Sequence, residues 1–140
     1  MNKKLFVSLL VLFAIAVSTS AVSAGLFDSV TDSNDLEVSN ITIVDNGYST
    51  YEINCNVTPK KDYDYLEMNA IFYDKDNAVI DKTPIAWNTN NPAKDQLIKV
   101  TGNAYLQNQK DKPVRAEVFF TDSAFTGNID DAIYVQNVKM

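Results

Sequence analysis

The run from Tyr63 to Asp81, YDYLEMNAIFYDKDNAVID, carries the longest clean alternation in the chain and holds both halves of a β-hairpin. Side chains of an extended backbone point to opposite faces in turn, so Leu66, Met68, Ala70 and Phe72 share one face and Tyr65, Glu67, Asn69, Ile71 and Tyr73 share the other. This predicts a half-buried strand. Asp74 to Asn77 form a polar turn, and Ala78, Val79 and Ile80 resume as a partner strand. One hairpin is not independently stable in water, so the remaining segments must cover its apolar face.

They have the pattern to do so. Leu36 and Val38, then Ile41 and Ile43, alternate with polar residues, and the phase change near Ser39 predicts a bulge. Asp45-Asn46-Gly47 is a turn, and Tyr48 to Thr58 read as a strand with Tyr51, Ile53, Cys55 and Val57 inward. Pro59 ends it for want of an amide hydrogen. Pro84 to Trp87 read as a short segment and Asn88 to Pro92 as a loop. Gln96 to Leu106 alternate again, with Gly102 at a bend or a close approach by another chain. Val114, Ala116, Val118 and Phe120 point inward on the next strand against Arg115, Glu117 and Phe119. Asp122 to Asp131 form a loop, and Ile133, Val135 and Val138 close the pattern.

Seven or eight short strands with turn chemistry between them, and no amphipathic helix, define an all-β chain. Two antiparallel sheets packed as a β-sandwich accommodate it best, with a barrel as the alternative. Trp87 suits a core plug between sheets. Its place beside Asn88, Asn90 and Asn91 also suits a ligand platform, and these four are the candidate contact residues.

Residues 1–24 carry the pattern of a secretory signal peptide: Lys3 and Lys4, an apolar run from Leu5 to Val17 broken by Ser8, then small residues to Val22-Ser23-Ala24. The competing reading, a membrane anchor, needs about 20 apolar residues. The expected division is a signal peptide over 1–24, a polar leader over 25–35 with room for one weak helical turn, and a β-sandwich domain over 36–140. Without Lys3 and Lys4 the chain has 18 acidic and 10 basic residues. That balance opposes phosphate backbones and anionic lipid, so neither nucleic acid nor, after signal cleavage, a membrane is an expected partner. A cell-surface protein or carbohydrate is.

Chemistry is sparse. The chain has no histidine, which removes the commonest general base and metal ligand together. Cys55 is the sole cysteine, so an intrachain disulfide and a Cys/His zinc site are both impossible, and its alternation reads as a buried small hydrophobe. Asp74 with Asp76 and Asp130 with Asp131 are carboxylate pairs of the kind a glycosidase needs, here read as solvated turns. Asp74, Asp76 and Asn77 begin like a calcium loop but lack its glycine and closing glutamate, Val79 and Ile85 standing in those places. No catalytic, cofactor-binding or metal-binding residue is assigned, and the chain reads as a non-enzyme. The alternatives are a carboxylate-dependent hydrolase of envelope polymer and an assembly protein that pairs through its last strand. Asn40-Ile41-Thr42 and Asn56-Val57-Thr58 are glycosylation triplets with their asparagines outward.

At Tyr73-Asp74, followed by Lys75-Asp76-Asn77 and Val79-Ile80, the chain resembles the FxLYD-type extracytoplasmic domains of microbial secreted proteins and lipoproteins. Against the pattern Phe-x-Leu-Tyr-Asp, Ala70-Ile71-Phe72-Tyr73-Asp74 keeps the final Tyr-Asp and has Phe72 in the leucine position. The resemblance spans Leu36 to Val138. It implies an immunoglobulin-like β-sandwich outside the cytoplasm, with a binding or structural role in the envelope, and brings no catalytic residue with it.

Overall fold

The computed structural model describes residues 31–32, 35–108 and 110–140. The signal peptide and most of the leader lie outside the described residues. Eight strands run β1 (Thr31–Asp32), β2 (Leu36–Asp45), β3 (Thr50–Pro59), β4 (Tyr65–Tyr73), β5 (Val79–Asn90), β6 (Ile98–Tyr105), β7 (Arg115–Thr121) and β8 (Tyr134–Lys139). One sheet has the order β1-β8-β7-β4-β5 and the other β2-β3-β6, with every pair antiparallel. This is the expected β-sandwich. In the immunoglobulin scheme it is the ABE sheet facing a sheet of C′, C, F and G, to which the two-residue β1 adds a fifth strand beside β8, and β5 stays beside β4 instead of crossing to the other sheet.

The core lies between the sheets. Ile53, Val57, Leu66, Met68, Phe72, Val118 and Phe120 are all fully enclosed there. Tyr51 packs on Phe72 with ring centroids 5.4 Å apart, and Phe120 meets Trp87 and Tyr134 edge-on at 6.5 and 6.2 Å. Aromatic edge contacts of this kind add to the burial energy of the rings themselves. Cys55 is buried in the same core, as its alternation implied, and burial pushes its thiol up to about 12. The bulge expected near Ser39 is present, the pairing with β3 shifting between Ser39 and Thr42 while Asn40 takes φ 57°.

Gly102 sits at a close approach between the two sheets. A Cβ there would overlap the Met68 Cε methyl and lie 2.9 Å from the Ala86 carbonyl oxygen, so the backbone of β5 approaches β6 through the gap a side chain would fill. The close approach expected at this mid-strand glycine is made by β5 of the same chain.

Several expectations need correction. Strand β3 starts at Thr50, because Tyr48 and Ser49 follow Gly47 in left-handed conformations (φ 53° and 59°) and belong to the turn. Strand β5 extends from Val79 to Asn90 and pairs with β4 on both sides of a bulge, so Asn88 to Asn90 are paired strand and not loop. Pro84 is tolerated inside β5 because β5 is an edge and the proline falls in a bulge. Val114 is exposed and precedes β7. In β8 it is Tyr134 and Val138 that share the inner face, opposite Phe120 and Ala116; Val135 pairs with Phe119 on the outer face. Thr31 and Asp32, within the expected leader, pair with Val135 and Tyr134.

The largest departure concerns β4. Leu66 to Phe72 are buried without interruption, so the strand is enclosed on both faces and not on one. The cause is the β7–β8 connection, residues 122–133, which lies over the outer face of the sheet. Its Phe125 amide donates to Glu67 Oε2 at 3.0 Å. Phe119, outward by alternation, is only 1 % exposed.

Candidate functional site

The outer face of the five-stranded sheet carries two polar arrangements, one at each end of β4. Direct pairing places Tyr65, Glu67, Asn69, Ile71 and Tyr73 of β4 beside Asn90, Asn88 and Lys82 of β5 and beside Thr121, Phe119, Glu117 and Arg115 of β7.

At the Tyr73 end, the phenol donates to Glu117 Oε2 at 2.5 Å and the Arg115 guanidinium lies 3.6 Å above the phenol ring. Arg115 also donates to Asn137 Oδ1 at 2.7 Å and, through Nε and Nη2, to Asn77 Oδ1. Burial, then the hydrogen bond to Glu117, pushes the Tyr73 phenol up to about 12. The Tyr73 phenol, the Glu117 carboxylate and the Arg115 guanidinium are engaged with one another and with Asn77 and Asn137, so the cluster ties the β4–β5 turn to β7 and β8. Asp74 Oδ1 is likewise occupied, accepting from the amides of Asp76 and Ala78 at 2.9 and 2.8 Å. With Asn77 held by arginine and Asp74 capping its own turn, these oxygens build a turn. Asp130 and Asp131 are exposed in a single 3-10 turn at Ile129–Asp131. Among the described residues no group of three or more His, Cys, Asp or Glu could hold a metal ion.

The other end is different in kind. Between Met68, opposite Trp87, and Ala70, opposite Thr83, the single residue Asn69 faces Pro84, Ile85 and Ala86. Ile85 adopts φ 53°, which a β-branched residue takes only at a cost of about 1–3 kcal/mol. Asn69 Oδ1 holds that strained turn by accepting from the Ile85 amide at 2.9 Å. Its Nδ2 is buried and has no protein partner, and neither has the buried hydroxyl of Thr83. Asn69 lines a concavity of about 380 Å3 whose walls include Ile71, Lys82, Phe119 and Phe125, whereas Thr83, paired directly with Ala70, turns its side chain to the inner face. Glu67, fully buried beside it, accepts from the Tyr65 phenol at 2.7 Å and from the Phe125 amide, which fixes the covering loop against the sheet. Phe125 itself stands 78 % exposed at the rim, with φ 62°. Gly127, also left-handed at φ 53°, brings the loop back over Pro84.

The residues singled out from the sequence are not brought together here. Trp87 pairs directly with Met68 and so faces the inner side, where it packs on Phe120, in agreement with the core-plug reading. Asn88 and Asn90 lie on the outer face opposite Glu67 and Tyr65, and Asn91 turns away at φ 52° with its amide on the Asp64 carbonyl. A ligand platform combining Trp87 with its asparagines would therefore have to span both faces of one strand. Tyr65 and Tyr73 fill the sheet face with their hydroxyls engaged, while Tyr105 is 66 % exposed on the other sheet. Asn40 is exposed at its bulge, and Asn56 is half-buried on the outer side of β3. Sequence signals for the concavity existed in Pro84, a proline inside an alternating run, and in Phe125, an aromatic inside a polar loop.

No family model matches the chain, and neither does any curated protein. Among solved structures, β-glucosidase 3B from Thermotoga neapolitana in complex with α-D-glucose is similar over 74 % of this chain and 15 % of that one, at 8 % identity and a TM-score of 0.42. The chain thus spans a small part of that protein, and a likeness of this degree carries no argument about function.

Proposed function

We propose that this chain is a secreted or cell-surface, non-enzymatic β-sandwich module that binds a ligand of the envelope through the concavity between β4, β5 and the β7–β8 connection. The observation that carries the reading is Asn69, 1 % exposed, with one amide atom spent on a strained bulge and the other unanswered at the concavity. A buried polar atom left unpaired costs about 1–3 kcal/mol, a cost that apolar side chains would avoid if covering the sheet were the only requirement. The N-terminal export pattern, the resemblance to FxLYD-type extracytoplasmic domains and the lack of histidine support the location and the absence of catalysis.

The test uses the full chain expressed with its export segment. Mass spectrometry of the exported protein should give Gly25 as the first residue, and an intact Met1 would refute cleavage. Screened against an array of envelope polysaccharides and surface proteins, the exported protein should be retained by at least one, and Phe125→Ala should abolish that retention. Retention by none would leave a purely structural role.

A further inference from the structure

Six of the eight large apolar side chains exposed among the described residues stand at one end of the sandwich: Val44, Tyr48, Val79, Tyr105, Val114 and Met140. Strand pairing brings them there. Thr50, at the start of β3, lies opposite Tyr105, and Tyr73, at the end of β4, lies between Val79 and Arg115. The Met140 amide donates to the Val114 carbonyl, and the packing of Tyr51 on Phe72 shows that the two sheets share this end. None of the six lines the concavity. Tyr48 is the extreme case, 100 % exposed in the β2–β3 turn at φ 53°, a region that a bulky side chain occupies only under strain. Glycine or asparagine would make that turn without strain, and a fully exposed ring adds nothing to the core. The fold therefore gives no reason for a tyrosine there, whereas tyrosine is enriched among the side chains that dominate protein interfaces. Tyr105, 66 % exposed, is its neighbour, because the Leu106 amide donates to the Ser49 carbonyl.

Charge separates this end from the other. Its connections, residues 46–49, 74–78 and 106–114, carry three lysines, Lys75, Lys110 and Lys112, and three aspartates, Asp74, Asp76 and Asp111. These cancel, and adding Asp45 and Lys139 from the strand ends leaves the sum at zero. The connections at the opposite end, residues 60–64, 91–97 and 122–133, carry three lysines against six aspartates. Two copies of an acidic chain repel one another least where local charge is balanced, and a surface bearing both signs can complement itself across a twofold axis. We propose that this end is a self-association surface: two copies of the chain meet end to end about a twofold axis, Tyr48 of each packing on Tyr105 and Val44 of the other, with lysines facing aspartates around them. An anionic membrane would be drawn by an excess of lysine, which the aspartates remove.

Sedimentation velocity of the full exported chain over a range of concentrations tests this. The protein should pass from monomer to dimer with a dissociation constant on the order of micromolar. Tyr48→Gly should weaken the dimer about tenfold or more while leaving the Tm of the dilute monomer no lower, because it removes strain and no core contact. A structural role for Tyr48 would lower that Tm instead. Lys110→Glu combined with Lys112→Glu, both exposed, makes the end acidic and should abolish dimerisation with the monomer still folded. Leu97→Ser, exposed at the opposite end, and Phe125→Ala, at the rim of the concavity, should leave the dimer unchanged, so this surface and the concavity are tested separately. A monomer at every concentration up to about 1 mM, a dimer that Tyr48→Gly or the double lysine variant leaves intact, or one that Leu97→Ser weakens as much as Tyr48→Gly would overturn the inference. Monomers that sediment with anionic vesicles through Tyr48 would assign the end to a membrane and overturn it equally.

Discussion

Replacing Gly102 with alanine tests the packing that holds the two sheets together. In an open strand position the change would stabilise by roughly 0.5–1 kcal/mol, because glycine loses more backbone freedom on folding than alanine. Here the new methyl meets the Met68 Cε methyl and the Ala86 carbonyl oxygen at 2.9 Å. The Met68 methyl is the far end of a flexible chain and yields, although its neighbours Phe72, Val118 and Phe120 leave it little room in a fully enclosed core. The Ala86 carbonyl is backbone, on the strand carrying the Pro84–Ala86 bulge, and moves only with that bulge. Overpacking of this kind costs typically 1–3 kcal/mol, which leaves a net loss of about 1–2 kcal/mol after the backbone gain. For a domain of about 100 residues the unfolding entropy of about 2.1 cal/mol/K per residue converts this to a Tm lower by about 5–10 °C. Thermal unfolding followed by circular dichroism at 218 nm reads the shift directly, and adding Met68→Leu should recover only the part due to the methyl group. An unchanged or higher Tm in Gly102→Ala would refute the close contact between β5 and β6.

Thr83→Val removes a buried hydroxyl with no partner at nearly constant shape, so it should raise stability by about 1 kcal/mol, which urea denaturation measures. Cys55, buried with its thiol pushed up to about 12, should be unreactive towards a thiol reagent at pH 8 in the folded protein and react within seconds in guanidinium chloride. Tyr65 and Tyr73 are both pushed up to about 12 from 10, by burial first and then by hydrogen bonds to Glu67 and Glu117. The unfolded chain therefore releases these protons first, so their contribution is intact below pH 10 and is lost as pH climbs through 12. Tm measured from pH 8 to pH 12 should be level and then fall above pH 10, and less steeply in Tyr65→Phe and Tyr73→Phe; an equal slope in all three proteins would contradict the assignment.

The inner faces were legible because period-two alternation reports directly on a face packed against another sheet. Ile53, Cys55 and Val57, Met68 and Phe72, and Ala116, Val118 and Phe120 all sit where alternation puts them. Local chemistry was equally readable where one residue type has one use: Gly47 in its turn, the bulge after Ser39, Gly102 at the close approach. The extent of β5 was not readable, because Pro84 and the asparagines carry turn chemistry that strand pairing overrides on an edge. The phase of β8 slipped because Ile133 packs on the core just before the strand begins, so the alternation does not run through it. Hidden most completely was the roof over β4. Glu67, Asn69 and Phe119 alternate as solvent-facing residues do, and only the return of a loop 58 residues downstream of Glu67 encloses them.

That roof separates the two outer faces of the sandwich. Over the three-stranded sheet, Glu52, Asn54 and Thr101 bond one another and remain in contact with solvent, as a polar face costs nothing to leave open. Over the five-stranded sheet, Glu67 and Asn69 are closed in by Phe125 and its neighbours, and one polar atom of each finds no partner among the described residues; the Thr83 hydroxyl, on the inner face, is a third such atom. Glu67 has a structural account, since its other oxygen anchors the loop through the Phe125 amide and is steadied by Tyr65. Asn69 has half of one, through Ile85, and Thr83 has none. The residue whose burial the fold only half explains lines the concavity, beside Lys82, which forms no ion pair among the described residues.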